Sequence, residues 1–153
     1  MLDLYKKILV FDFETTGLYP SSDQIIEIGA LLIDRSSGEE KKTELSLLVT
    51  ADKKLPDIIT NITGITDEML LRDGLPQEVA FQQLFSLIDE ETLLIAYNIQ
   101  FDLSFLLHYI KRYHDPFFQF KNPILDVMAL FKDRHPYPHK LDQAVKTYQV
   151  MIP

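Results

Sequence analysis

Asp12 and Glu14 close the apolar run from Ile8 to Phe13. On an extended strand a two-residue spacing puts both side chains on one face, with their Cα atoms roughly 7 Å apart. Carboxylates so placed can share a metal ion. Charged groups at the end of an apolar strand cost desolvation free energy unless paired or coordinated, so these two need cations or basic partners; a solvated strand end is the other reading. Thr15, Thr16 and Gly17 follow, and a glycine there either lets the backbone approach a ligand or makes an ordinary turn. About ninety residues on, Asp102 falls in the first turn of an expected helix. The helix dipole stabilises a carboxylate at that position and lets it project past the neighbouring strand end, with simple helix capping as the alternative.

The chain that must position these acids has 153 residues, enough for one domain with its own core. Its 46% apolar and 25% charged residues exclude disordered and collagen-like classes. The lack of cysteine removes disulfide scaffolds, thiolate metal sites and cysteine nucleophiles, and fits a reducing compartment, so a cytoplasmic location is expected. The opening MLDLYKKILVFDFE is neither a signal peptide nor a membrane span, because its short apolar run meets acids at once. A net charge of −8 argues against nucleic-acid binding by general basic attraction, so any such role must be local. Divalent cations at a carboxylate-rich site would reverse the local sign and make a phosphate substrate coherent with an acidic protein.

Ile8 to Phe13 and Gln24 to Ile33 read as buried strands, and Thr43 to Thr50 as a third, joined to the second by a turn at Ser36-Ser37-Gly38 that favours antiparallel pairing. Pro56 to Ile65 reads as irregular. Thr66 reads as the cap of a short helix running to Leu71. Val79, Phe81, Leu84, Phe85 and Ile88 form a helical stripe facing a core. Leu93 to Tyr97 reads as a fourth strand, leading into a helix over about Gln100 to Tyr113 through a parallel crossover. A short strand at Ile124-Leu125 and helices over Val127 to Arg134 and Leu141 to Tyr148 complete the pattern.

FDFETTGL at 11–18, followed by QIIEIGALLID at 24–34, resembles the first motif of the DEDD superfamily of 3′→5′ exonucleases, and AYNIQFDLSFL at 96–106 resembles the second. ITGITDEML at 62–70 and NPILDVMAL at 122–130 match in order, so the resemblance spans nearly the whole chain. It implies an α/β, ribonuclease-H-like fold: a mixed central sheet flanked by helices. It also implies that Asp12, Glu14 and Asp102 are catalytic metal ligands in a two-metal site for Mg²⁺ or Mn²⁺, ions suited to hard oxygen donors. The substrate would be the 3′ end of DNA or RNA, released as nucleoside 5′-monophosphates. Thr15, Thr16, Gly17, Leu18, Gly64, Ile65 and Asn98 would touch it, with core packing the alternative for Leu18 and Ile65. The likeness to bacterial proofreading subunits makes a DNA polymerase an implied partner.

The family's third motif, a histidine with an aspartate five residues later on a final helix, has no counterpart. Five residues beyond His108, His114, His135 and His139 stand Tyr113, Gln119, Lys140 and Ala144. HKLDQAV at 139–145 resembles the helix before that motif, so residues 1–153 are expected to be a C-terminally truncated exonuclease domain with its final helix missing. Such a loss should impair catalysis and expose apolar surface for homodimer formation. A catalytically silent domain that binds nucleic acid or protein is the alternative function. His135 and His139 read as surface residues, Asp126 as structural, and Tyr97 as a departure from the family's histidine that alters packing.

Overall fold

The computed structural model describes residues 2–134. The central sheet has the order β3-β2-β1-β4-β5, built from β1 (Lys7–Thr15), β2 (Ile25–Asp34), β3 (Lys41–Leu48), β4 (Leu93–Ala96) and β5 (Ile124–Asp126). The first three strands pair antiparallel, while β4 pairs parallel to β1 and β5 parallel to β4. The expected mixed sheet is therefore observed. Five helices accompany it among the described residues: α1 (Asp57–Thr63), α2 (Asp67–Asp73), α3 (Gln77–Phe85), α4 (Ile99–Tyr113) and α5 (Val127–Arg134). None is long and apolar enough to cross a membrane.

Alternation along β1 divides the molecule. Leu9, Phe11 and Phe13 turn to one face and pack in the main core with Phe81 and Leu84 of α3 and Leu106 and Ile110 of α4. Phe81 anchors that layer, with its ring 5.1 Å from Phe85 and 5.4 Å from Tyr109. Ile8, Val10, Asp12 and Glu14 alternate onto the opposite face. Ile8 joins Leu93 and Ile95 in a smaller cluster there. The same alternation that buries the phenylalanines thus carries both acids away from the α3–α4 layer.

Three local expectations need correction. The segment from Pro56 is a helix, α1, entered through Pro56 and ended by Gly64 in the left-handed conformation at φ 77°. It has no buried residue, and Ile58 and Ile62 on one side are both exposed, so no core-facing stripe marks it. In α3 the buried face is Ala80, Phe81 and Leu84; Val79 is exposed and Ile88 lies past the helix end. The small side chain of Ala80 lets the helix lie close, a role a stripe of large residues conceals. The third strand ends at Leu48, and Val49 instead bridges to Leu75. Thr66 caps α2 as expected, accepting from Met69 N. The expected helix over Leu141 to Tyr148, with His135 and His139, lies outside the described residues.

Leu106 is fully buried between α4 and the sheet. Leu106→Ala should cost about 2–5 kcal/mol in urea unfolding, through lost burial plus the cavity it leaves.

Candidate active site

β4 stops short of the acidic end of β1. Their parallel pairing runs only as far as Val10 with Ile95, so the N–H of Phe13, between the two acids, has no strand partner on that side. Asp102 supplies one. Its Oδ1 accepts from Phe13 N at 3.1 Å, joining the first turn of α4 to the end of β1 across 89 positions of sequence. A buried donor without a partner would cost about 1–3 kcal/mol, so the bond fixes α4 against the strand.

The link between β4 and α4 makes this geometry. Asn98 sits at φ 60°, ψ 57°, the one non-glycine residue with positive φ among those described. Asparagine tolerates that region better than most residues, and there it turns the chain sharply into α4. Asp126, at the end of β5, holds the corner: its Oδ1 accepts from Asn98 N at 2.9 Å and from Met128 N at 3.0 Å. Asp126 is therefore structural, as expected.

On the other side of β1, Asp12 faces Gly29 and Glu14 faces Glu27 in the β2 ladder. Glycine leaves nothing on β2 to cover the Asp12 carboxylate. Glu27 is a fourth acid at the site that the sequence did not announce; its only signal was a charge inside the apolar run QIIEIGALLID. Like charges directly opposite on a ladder destabilise it. A register shift between Glu14 and Thr15 marks the point where β1 leaves the ladder.

The electrostatics follow from this crowding. Desolvation raises Asp12, and desolvation with repulsion from Asp12 and Glu27 raises Glu14. Glu27 is raised by desolvation and by Asp12. Asp102, 3% exposed, is pushed up to about 7, first by burial and then by Asp12, while its bond from Phe13 N opposes the shift. Among the described residues no lysine or arginine forms an ion pair with any of the four. Nor do three acidic or histidine side chains there already stand close enough to hold an ion. The donor set among the described residues nevertheless fits a hard divalent cation in kind: carboxylate oxygens, with no sulfur, nitrogen or basic counter-charge beside them. A cleft of about 520 Å³ opens beside Asp12, with Val10, Leu31, Ile95, Tyr97 and Val127 in its walls.

The loop after Glu14 is held by its own side chains. Thr15 Oγ1 donates to Gly17 O at 2.6 Å; Thr16 Oγ1 donates to Asp23 Oδ1 and accepts from Gln24 N. Tyr19 N donates to Asp23 Oδ2 at 2.9 Å. Glycine at 17 suits this close approach, since a Cβ there would meet the Asp23 carboxylate and push it from its bonds to Thr16 and Tyr19. Leu18 stands 71% exposed at the tip, accessible to a ligand. Ile65 does not: it is 2% exposed and packs with Ile26, Leu55 and Leu70, so its side chain serves the core, the alternative its sequence position left open. Gly64 and Asn98 remain exposed.

Sheet order and flanking helices together define a ribonuclease-H-like α/β protein. Residues 9–152 match the family model RNase T, described as an exonuclease, and the chain belongs to that family, as a DEDD-type member. A DNA polymerase III PolC-type of Thermotoga maritima is 37% identical over 124 residues, covering 81% of this chain and 9% of the relative. The DNA polymerase III subunit epsilon of Treponema pallidum is 38% identical over 96 residues, covering 63% of this chain and 42% of the relative. The chain thus spans about a tenth of the PolC-type relatives and under half of the epsilon subunit. A product-bound structure of exonuclease I superposes with a TM-score of 0.79 at 19% identity, over 96% of this chain and 39% of that one, a likeness of fold. Divalent-metal use is general in the exonuclease family.

Asp102 holds its proton more tightly folded than unfolded, so the metal-free protein loses stability as pH rises from about 4, the usual carboxylate range, through about 7. Asp102→Asn keeps an acceptor for Phe13 N without the charge. By calorimetry the metal-free variant should melt several degrees above the parent at pH 8, with the gap closing towards pH 4.

Proposed function

We propose that this chain removes nucleotides from the 3′ end of a nucleic acid as nucleoside 5′-monophosphates, using Mg²⁺ or Mn²⁺ held by Asp12, Glu14 and Asp102. The observation that carries the reading is the bond from Phe13 N to Asp102, which joins the third acid to the strand bearing the other two. Membership of the exonuclease family gives that convergence its chemistry. When bound, divalent ions would activate water and stabilise the leaving oxygen.

The chain's own residues have the remaining tasks. Asp12 and Glu14, on one face of β1, and Asp102, bonded to the same strand, would supply the oxygen donors that hold the ions. The Thr15-to-Leu18 loop, braced by Asp23, presents backbone groups and the exposed Leu18 to the terminal nucleotide, and Gly64 and Asn98 offer further exposed backbone. Glu27 adds negative charge beside Glu14, strengthening the field that draws in cations. Among the described residues no imidazole joins the carboxylates: His108 bonds to Ser104 O on the exposed flank of α4, and His114 packs on Phe85. A DNA polymerase is the partner we propose, since both of the relatives described above carry that name.

The test is hydrolysis of a 5′-labelled single-stranded oligonucleotide with Mn²⁺, followed by gel. Ladders shortening from the 3′ end are expected, abolished by EDTA. Asp12→Ala should slow the reaction at least about 100-fold, the lower end of what a positioned catalytic group supplies. Binding without turnover would instead identify a silent binding domain.

A further inference from the structure

An acidic protein that acts on a polyanion must gather its positive charge locally. Beyond the loop that leaves Glu14 lies a groove of about 360 Å³, walled on one side by Thr16 and the Pro20-to-Gln24 stretch and on the other by Ala51 to Lys54 and Pro56, with Arg112 of α4 also lining it. Three cations, Lys53, Lys54 and Arg112, share it with two acids, Asp23 and Asp52.

The two sets differ in what they are bonded to. Asp23 is spent on the loop, accepting from Thr16 Oγ1 and Tyr19 N. Asp52 is tied to Gln24 by a reciprocal pair: Gln24 Nε2 donates to Asp52 Oδ2 at 3.1 Å, and Asp52 N donates to Gln24 Oε1 at 2.8 Å. Those bonds join the two walls and offset part of the acids' charge. Lys53, Lys54 and Arg112 are exposed and, among the described residues, form no ion pair, although the Arg112 guanidinium lies over the Tyr113 ring at 5.5 Å. Ser21 and Ser22, both exposed, add hydroxyl donors to the same lining. Tyr19 on the same loop is 69% exposed and offers a ring for stacking on an unpaired base.

We propose that this groove binds the phosphates of single-stranded nucleic acid on the 5′ side of the nucleotide held at the carboxylates. The inference rests on the exonuclease reading and extends it from the scissile bond to the path of the strand. Cations outside any ion pair, with hydroxyl donors, suit a phosphate backbone, and the exposed Tyr19 ring on the loop that walls the groove suits unstacked bases better than a duplex. Binding here is independent of sequence, since none of these groups reads base edges.

Fluorescence anisotropy of a labelled oligothymidylate, measured with EDTA over a series of salt concentrations, tests it. The double variant Lys53→Glu/Lys54→Glu is compared with Lys41→Glu/Lys42→Glu, which makes the same change in net charge at the opposite end of β3. The first should weaken binding at least tenfold at low salt and lower the salt slope by about 1.4, two single-strand phosphate contacts at roughly 0.7 each. The second should do neither. Equal weakening by both pairs, no weakening by either, or no binding by the parent overturns the groove. Cleavage of a dinucleotide with a free 5′-hydroxyl, which has the scissile phosphate and no other, should be unchanged in the first variant and lost in Asp12→Ala. A parent that fails to cut the dinucleotide counts against the exonuclease reading separately.

Discussion

The site depends on one hydrogen bond at the place where a short strand ends. Because β4 stops before Phe13, that residue's N–H is left over, and the Asp102 carboxylate takes it at 3.1 Å. The first turn of α4 is thereby fastened to the strand that carries Asp12 and Glu14. Everything upstream serves the same placement: the left-handed Asn98 turns the chain, Asp126 holds that corner, and the aromatic layer around Phe81 presses α4 onto the sheet. Burial raises the proton affinity of all four carboxylates, and repulsion from acidic neighbours adds to it at Glu14, Glu27 and Asp102, an unfavourable state of the bare protein that a divalent ion would relieve. Local stability is given up where binding is needed.

The loop after Glu14 shows the same economy. Asp23 accepts from Thr16 and Tyr19 and occupies the space a side chain on residue 17 would need, so a tight, exposed loop is held by its own hydrogen bonds without a core of its own. Its far side forms one wall of the groove holding Lys53, Lys54 and Arg112. A net charge of −8 does not exclude the proposed hold on a phosphate chain, because position outweighs total charge within a Debye length of about 8–10 Å.

Much of this was legible in the residues. Period-two alternation placed Asp12 and Glu14 together, apolar runs located the strands, and the Thr66 cap located α2. What escaped depends on pairing or on exposure. Glu27 becomes part of the site only through the register that sets it opposite Glu14, and no local pattern encodes register. Helix α1 has no fully buried residue and packs on the core only through the partly buried Ile59, so its existence rests on a proline entry and a glycine exit rather than on periodicity. Ile65 could not be divided between ligand and core until its neighbours were known. The ties made by Asp23 and Asp126 likewise need coordinates, since aspartates in loops and at strand ends are common and their acceptors' partners are not written in sequence.

Calorimetric titration of Mn²⁺ into the metal-free parent and into Asp102→Asn, at pH 7 in two buffers of different ionisation enthalpy, probes the convergence most directly. If three carboxylates from separate elements hold the same ion, the parent binds with release of protons, and the variant binds at least tenfold more weakly with less release. Equal affinity and equal proton release in the two proteins would show that Asp102 is no part of the site.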